Sequence, residues 1–267
     1  MILVKLGGSV ITNKETIKDE KGKKIFYRAR TDRLMGELKS TNEEFILVHG
    51  AGSFGHPLSK RFELREGYVS DRQIPIVAKV QEDVRTLNLD VIQTMREKNL
   101  AAVSLPPSLL VKLDGGKSKK ISMEPFRHYL ELGTVPVTFG DVVPDISRRF
   151  GICSGDDLML HLAREFKPRI AIFVTKVDGI YTKDPREKTG SPAKFITEIN
   201  EKTIRLIKEP RDNVPDVTGR MKRKAKMMLT IAKEGVDCIV LNGLKRNGLG
   251  RAIKGEKVKC TIARRRK

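Results

Sequence analysis

The segment Ile2-Leu3-Val4-Lys5-Leu6-Gly7-Gly8-Ser9 is a short apolar run that carries one lysine and breaks at paired glycines. A run that is continuous rather than alternating suits a strand buried on both faces. Similar runs recur at Phe45 to Val48, Ala101 to Leu105, Val135 to Phe139, Ile170 to Val174 and Cys238 to Leu241. Stretches with helical spacing lie between them. Asp83 to Glu97 puts Val84, Leu87, Val91, Ile92 and Met95 on one face. Asp156 to Phe166 does the same with Leu158, Leu162 and Phe166, and Lys222 to Glu234 with Met227, Met228 and Ile231. The alternation predicts an α/β fold in which helices cover a mainly parallel sheet. Lys117 to Ile121 predicts a small hairpin. With no internal repeat and no long Pro/Gly/Ser linker, the chain reads as one unit, residues 1–267, with two lobes near 1–150 and 151–267.

The composition agrees. Of 267 residues, 39% are hydrophobic and 32% charged, which is globular rather than disordered. No apolar run approaches the ~20 residues of a membrane helix. The N-terminus lacks the basic-then-apolar order of a signal peptide, so a cytoplasmic location is expected. Cys153, Cys238 and Cys260 are too scattered for a disulfide framework or a zinc site. His49, His56, His128 and His161 show no HExxH spacing, and no metal ligand is assigned. Lys and Arg number 53 against 33 Asp and Glu, a net charge of +20. That excess points to an anionic partner: nucleic acid, a membrane surface or phosphorylated small molecules. The basic clusters at Arg220 to Lys226 and Lys245 to Lys267 hold no aromatic residue for bases to stack on, which argues against nucleic acid.

Ligands of open parallel sheets sit beyond the carboxyl ends of the strands, so the turns after the apolar runs matter most. Gly7-Gly8 after the first run would let backbone N–H groups approach an anion, with Lys5 aimed at it. A solvated lysine before an ordinary turn would look the same. His49-Gly50-Ala51-Gly52-Ser53-Phe54-Gly55-His56 contains a formal GxGxxG. It follows the second run rather than the first, and no strand-ending acid lies about 20 residues on. A nicotinamide site is therefore rejected, while anion binding by this turn is kept. Gly116-Lys117-Ser118 imitates the end of a P-loop, but position 111 is Val111, and it reads as a polar turn.

Together these turns resemble the amino acid kinase superfamily and, within it, the archaeal isopentenyl phosphate kinases. The resemblance runs through Lys5 to Thr12 with Lys14, Val48 to Pro57, Val135-Pro136-Val137 with Gly140-Asp141-Val142-Val143, Ser154 to Asp157, Val177 to Tyr181 and Asp216 to Gly219. The Ser53-Phe54-Gly55-His56 turn discriminates, because acetylglutamate, uridylate and aspartate kinases lack that histidine. Two departures stand out: Arg220 where the family has a second glycine, and Lys176 where it has an acid.

The resemblance implies a three-layer αβα sandwich, a homodimer, ATP with Mg2+, and phosphoryl transfer to isopentenyl phosphate. It implies an acceptor-phosphate lobe at 1–150 and an ATP lobe at 151–267. Lys5, Lys14 and Lys224 would hold phosphates, with Asp156 orienting the lysines; an Asp after Ser154-Gly155 could equally cap a helix. Gly7, Gly8, Ser9, Gly52 and Gly219 would face the ATP phosphates, and Thr175, Asp178, Tyr181 and Lys183 would flank the nucleoside. Ala51, Gly55, His56 and Gly155 would receive the acceptor phosphate. Val77 and Val80, spaced with Ile74 and Val84, would line a slot for the isoprenoid tail, although an ordinary buried helix face has the same pattern. The alternatives are a same-fold kinase for another small phosphate or phosphonate, resembling the fosfomycin kinases, and a basic nucleic-acid-binding protein.

Overall fold

The computed structural model describes residues 1–13, 24–185, 191–208 and 218–265, with side chains in the last segment from residue 221 onward. Lys14 and Asp216 lie outside the described residues, as does the side chain of Arg220. The strands are β1 (Ile2–Leu6), β2 (Phe45–His49), β3 (Ala102–Ser104), β4 (Val111–Asp114), β5 (Lys117–Ile121), β6 (Val135–Phe139), β7 (Asp141–Asp145), β8 (Arg149–Cys153), β9 (Ile170–Thr175), β10 (Ile180–Tyr181), β11 (Phe195–Ile196), β12 (Asp237–Asn242) and β13 (Cys260–Ala263). The helices are α1 (Gly8–Ile11), α2 (Arg28–Lys39), α3 (Gly52–Arg61), α4 (Ile74–Arg96), α5 (Pro107–Leu110), α6 (Glu124–Glu131), α7 (Gly155–Phe166), α8 (Glu201–Arg205), α9 (Thr218–Lys233) and α10 (Gly248–Ile253).

Seven strands form the main sheet in the order β13-β12-β9-β1-β2-β6-β3. Neighbours are parallel except β12 and β13. All six apolar runs read from the sequence are strands of this sheet. β1 lies at its middle, between β2 and β9, where the chain order changes direction. Such a switch point opens a crevice at the carboxyl ends of the strands.

Strand parity sorts side chains into two cores. Leu3, Val48, Phe173 and Val240 pack with Leu158 and Leu162 of α7 and with Ala225, Met228 and Ile231 of α9. Ile2, Val4, Leu6, Ile172 and Val174 pack on the opposite face with Leu34 and Leu38 of α2 and Leu87 and Val91 of α4. This is the expected helix–sheet–helix sandwich. Lys5 shares the parity of Leu3 and so emerges on the α7/α9 face. A one-residue slip of β1 would drive Lys5 into the α2/α4 core, so burial on both faces fixes its register.

A smaller sheet, β5-β4-β7-β8, and a two-stranded pair, β10-β11, complete the fold. The expected hairpin at 117–121 is β5 pairing with β4. Three boundaries differ from the sequence reading. The helix expected from Asp83 begins at Ile74, helped by Pro75 in its first turn, where a missing N–H costs nothing. The helix expected from Lys222 begins at Thr218. The glycine-rich stretch after β2 is a turn only as far as Ala51. Gly52 opens α3, so His56 sits in a helix and not in a loop.

Candidate active site at the carboxyl ends of the parallel strands

The turns after β1 and β2 meet backbone to backbone. A Cβ on Gly8 would lie 2.4 Å from the nitrogen of Gly52, and one on Gly50 would lie 2.6 Å from the nitrogen of Gly8. Only glycine permits this approach. Gly52 also has φ +52, and a Cβ there would strike Thr12 Oγ1 at 2.1 Å. Thr12 braces the junction: its hydroxyl donates to the Gly8 carbonyl at 2.8 Å and accepts from the Ser53 amide at 3.1 Å. Ser53 in turn donates to Asn13 Oδ1 at 2.7 Å.

Beside this junction, Lys5, Asp156 and Lys224 come together. The ammonium groups of Lys5 and Lys224 both reach Asp156 Oδ1, Lys224 at 3.0 Å, and Lys224 also lies 3.2 Å from Oδ2. Ser154 caps α7, accepting from the Asp157 amide at 3.2 Å, which leaves the Asp156 carboxylate for the lysines. Gly155 makes room for Lys5: a Cβ there would lie 3.0 Å from Lys5 Cε. The Phe173 ring carries both cations, with Lys224 Nζ at 4.6 Å and Lys5 Nζ at 5.9 Å from its centroid. Burial pushes the Lys5 ammonium below the usual lysine range; Asp156 opposes the shift and Lys224 adds to it. Burial alone would raise the Asp156 carboxyl, yet the two lysines pull it well below the usual carboxylate range. It stays ionised and is no candidate for a base.

His49, at the end of β2, is fully buried and stacks on Phe139. Its Nδ1 lies 3.3 Å from the Gly50 carbonyl and its Nε2 lies 3.1 Å from Asn88 Nδ2. The carbonyl can only accept and the amide can only donate, so Nδ1 carries the proton. Burial holds this imidazole at a pKa of about 4. The residue is neutral and structural. His56, in the second turn of α3, is exposed.

On the other side of β9, Thr175 ends the strand and donates to the carbonyls of Val177 and Leu241 at 2.9 and 3.2 Å. Asp178 accepts from Asn242 at 2.9 Å and pairs with Lys245 at 2.9 Å and Lys259 at 3.2 Å. Tyr181 packs edge-on against Phe195. Lys183 is buried, and Gly219 lies in the first turn of α9. Lys176 lies over the Tyr27 ring at 5.8 Å.

Ala51, Leu64, Val80, Val84, Phe139 and Val142 form a third apolar cluster between α3, α4 and β7, with Val77, Phe150 and Ile152 against it. Gly55 belongs to its wall: a Cβ there would strike the Ala51 Cβ at 2.7 Å. Ile74 is 57% exposed and lies outside the cluster, contrary to the spacing argument.

The structure thus brings Lys5, Gly7, Gly8, Gly52, Gly155, Asp156 and Lys224 to one place, and Val77 and Val80 to one apolar cluster. Sequence reasoning missed Phe173, Lys245, Lys259, Asn242 and Phe139. Phe173 was within reach, because parallel pairing sets it opposite Lys5.

A mainly parallel sandwich with two glycine turns and a lysine–aspartate–lysine cluster at its switch point defines a phosphate-handling α/β protein. The chain belongs to the amino acid kinase family, whose pattern matches residues 1–242. It is 32% identical to the isopentenyl phosphate kinase of Methanothermobacter thermautotrophicus, with 98% of both chains covered. It is 34% identical to that of Thermoplasma acidophilum, covering 93% of this chain and 95% of the other. A crystal structure of isopentenyl phosphate kinase superposes with a TM-score of 0.83 at 30% identity, covering 98% of this chain and 99% of that one.

Proposed function

We propose that the protein transfers the γ-phosphoryl group of ATP to isopentenyl phosphate, giving isopentenyl diphosphate and ADP. The observation that carries the phosphoryl-transfer reading is the pair of ammonium groups on one half-buried carboxylate, where two glycine turns meet. The near-full-length likeness to isopentenyl phosphate kinases supports the choice of acceptor.

A phosphate oxygen of the acceptor attacks the γ-phosphorus in line as the bond to the ADP oxygen breaks. Two phosphate-bearing substrates repel each other, so catalysis consists of alignment and charge neutralisation. The acceptor is already an anion at neutral pH and no proton has to be removed. Asp156 accordingly positions Lys5 and Lys224 rather than acting as a base. Lys5 holds the transferred group from the β1 side, Lys224 reaches it from α9, and Lys14 joins them. The backbone of Gly7, Gly8, Ser9, Gly52 and Gly219 receives the ATP phosphates, and Thr175, Asp178, Tyr181 and Lys183 flank the nucleoside. Ala51, Gly55, His56 and Gly155 take the acceptor phosphate, and its tail enters the slot of Val77 and Val80. Residues 1–150 then serve mainly the acceptor and 151–267 the nucleotide. Among the described residues no group of three His, Cys, Asp or Glu side chains could hold a metal, so magnesium would ride on the nucleotide phosphates. A homodimer in the cytoplasm completes the reading; among the described residues no helix is long and apolar enough to cross a membrane.

The test is steady-state kinetics with ATP, magnesium and a panel of acceptors. Isopentenyl phosphate should have the highest kcat/KM. A higher value for acetylglutamate, UMP, aspartate or a phosphonate such as fosfomycin would reassign the acceptor pocket.

A further inference from the structure

We propose a second anion-binding site, in the groove between the β4–β5 hairpin and α7, that takes a small polyanion with two or more phosphate groups. Two adjoining cavities of about 430 and 190 Å3 share Ser118 and His161 in this groove. Arg65, Lys117, Arg148 and Arg223 surround the larger one, and Lys119, Lys120 and Arg164 the smaller. Neither includes a residue assigned above to ATP or to the acceptor.

The charge in the groove is largely uncompensated. Three acids line it: Asp157 faces Arg223 at 3.5 Å, Glu165 is taken by Arg127 from outside, and Glu66 stands beside Arg65 with no ion pair among the described residues, so seven cations face three carboxylates. Arg164 is held by Glu234. Arg65, Lys117, Lys119, Lys120 and Arg148 make no ion pair among the described residues. Like charges held together in excess over the acids among them repel, and a bound anion relieves that repulsion.

Arg148 is also placed by the backbone around it. It lies between two glycines at positive φ: a Cβ on Gly67 would stand 2.5 Å from Arg148 Cβ, and one on Gly116 would stand 3.2 Å from Arg148 Nη1. Its amide donates to Asp145 Oδ1 at 2.9 Å and its guanidinium to the Arg65 carbonyl at 3.4 Å. The next residue, Arg149, has φ +64 and stacks over Tyr68 at 4.2 Å. A left-handed arginine is a local cost that surrounding contacts must offset, and Arg148 just before it lines the larger cavity.

The unpaired cations fall in two groups on either side of His161, which suits a ligand with more than one anionic group. No Phe or Tyr lines either cavity, and His161 is the one aromatic ring there, a poor platform for a run of stacked bases. A compact polyphosphorylated compound fits better than a nucleic-acid strand.

Calorimetric titration of the whole protein with inorganic tripolyphosphate, in excess ADP to fill any nucleotide phosphate site, tests this. One saturable site should persist in ADP. Lys119→Gln/Lys120→Gln and Arg148→Gln should each weaken it about tenfold or more, as loss of charge-assisted hydrogen bonds does. Both variants should retain wild-type thermal unfolding and turnover, which shows that they are folded. Binding abolished by ADP, or equal in the variants and the wild type, would overturn the proposal. Displacement of tripolyphosphate by a lower concentration of a short single-stranded RNA would overturn it too, in favour of nucleic acid.

Discussion

Lys5 and Lys224 place their ammonium groups on the same oxygen of Asp156. One comes from the first strand and the other from a helix near the end of the chain, and a single half-buried carboxylate fixes the gap between them. Removing either lysine leaves the other with a full carboxylate and an altered position.

Lys224→Ala should therefore lower kcat more than it raises KM for ATP, by about 10²-fold or more, as for other electrostatic groups at a reacting centre. Lys222, two residues earlier on α9, does not reach Asp156, and Lys222→Ala should be mild. Steady-state kinetics on both variants checks the register of α9, and the reverse ranking would displace Lys224 from the site.

His56→Ala should reduce turnover at least about tenfold, since a hydrogen bond to a charged group is worth roughly 1.5–3 kcal/mol. His56→Gln should keep part of the activity because an amide can still donate. ATP affinity, measured by calorimetry, should hardly change in either. A loss explained wholly by weaker ATP binding would remove His56 from the acceptor side.

The glycine junction predicts a contrast between two Gly→Ala variants. Gly8→Ala forces a methyl against the Gly52 backbone at 2.4 Å and should destabilise by about 1–3 kcal/mol, with loss of activity. Gly36, inside α2, has nothing within 4 Å of its would-be Cβ. Gly36→Ala should stabilise by about 0.4–1 kcal/mol. Thermal unfolding of the two variants, compared with wild type, reads both signs.

Acid behaviour should separate two buried groups. His49, with its pKa lowered from 6.5 to about 4, contributes stability that is intact above pH 6.5 and lost as pH falls toward 4. Asp141, raised from 3.8 to about 6 by burial despite Arg85, acts in the opposite sense. It penalises the folded state above pH 6, and the penalty is relieved as pH falls toward 3.8. Each effect is about 3 kcal/mol, at 1.36 kcal/mol per pKa unit. In wild type they offset. His49→Gln should gain stability relative to wild type between pH 6.5 and 4, and Asp141→Asn should lose it. Urea unfolding across that range measures both slopes, and parallel profiles would refute the assignment.

Six of the seven strands of the main sheet were legible because each falls in a continuous apolar run, which few other elements of a helix-covered sheet produce; β13 was missed because its four residues sit inside the basic stretch from Lys245 to Lys267. The lysine–aspartate–lysine cluster was legible only through family resemblance, since Lys222 and Lys226 offer the same side chain within one turn of Lys224. The small sheet β5-β4-β7-β8 was mostly hidden. Its strands carry Lys112, Lys119, Lys120 and Arg149, and an edge that faces solvent leaves no apolar period to read. The start of α3 was misread because Gly50, Gly52 and Gly55 look like turn residues, whereas backbone crowding explains their presence. The partners of Asp178 come from the end of β12, from the turn after it and from the loop before β13, and no local pattern links them to it.

The central position of β1 has a consequence for how the chain is made. β1 finds β2 as its first neighbour within the opening 49 residues, but its other neighbour, β9, starts only at Ile170. At roughly 5–20 residues per second, the intervening ~120 residues take about 6–24 s to synthesise. For that interval a strand that is buried throughout in the finished protein is an open edge, with the backbone groups of Leu3 and Lys5 unpaired on the β9 side. The site around Lys5 exists only after the ribosome has delivered both Asp156 and Lys224.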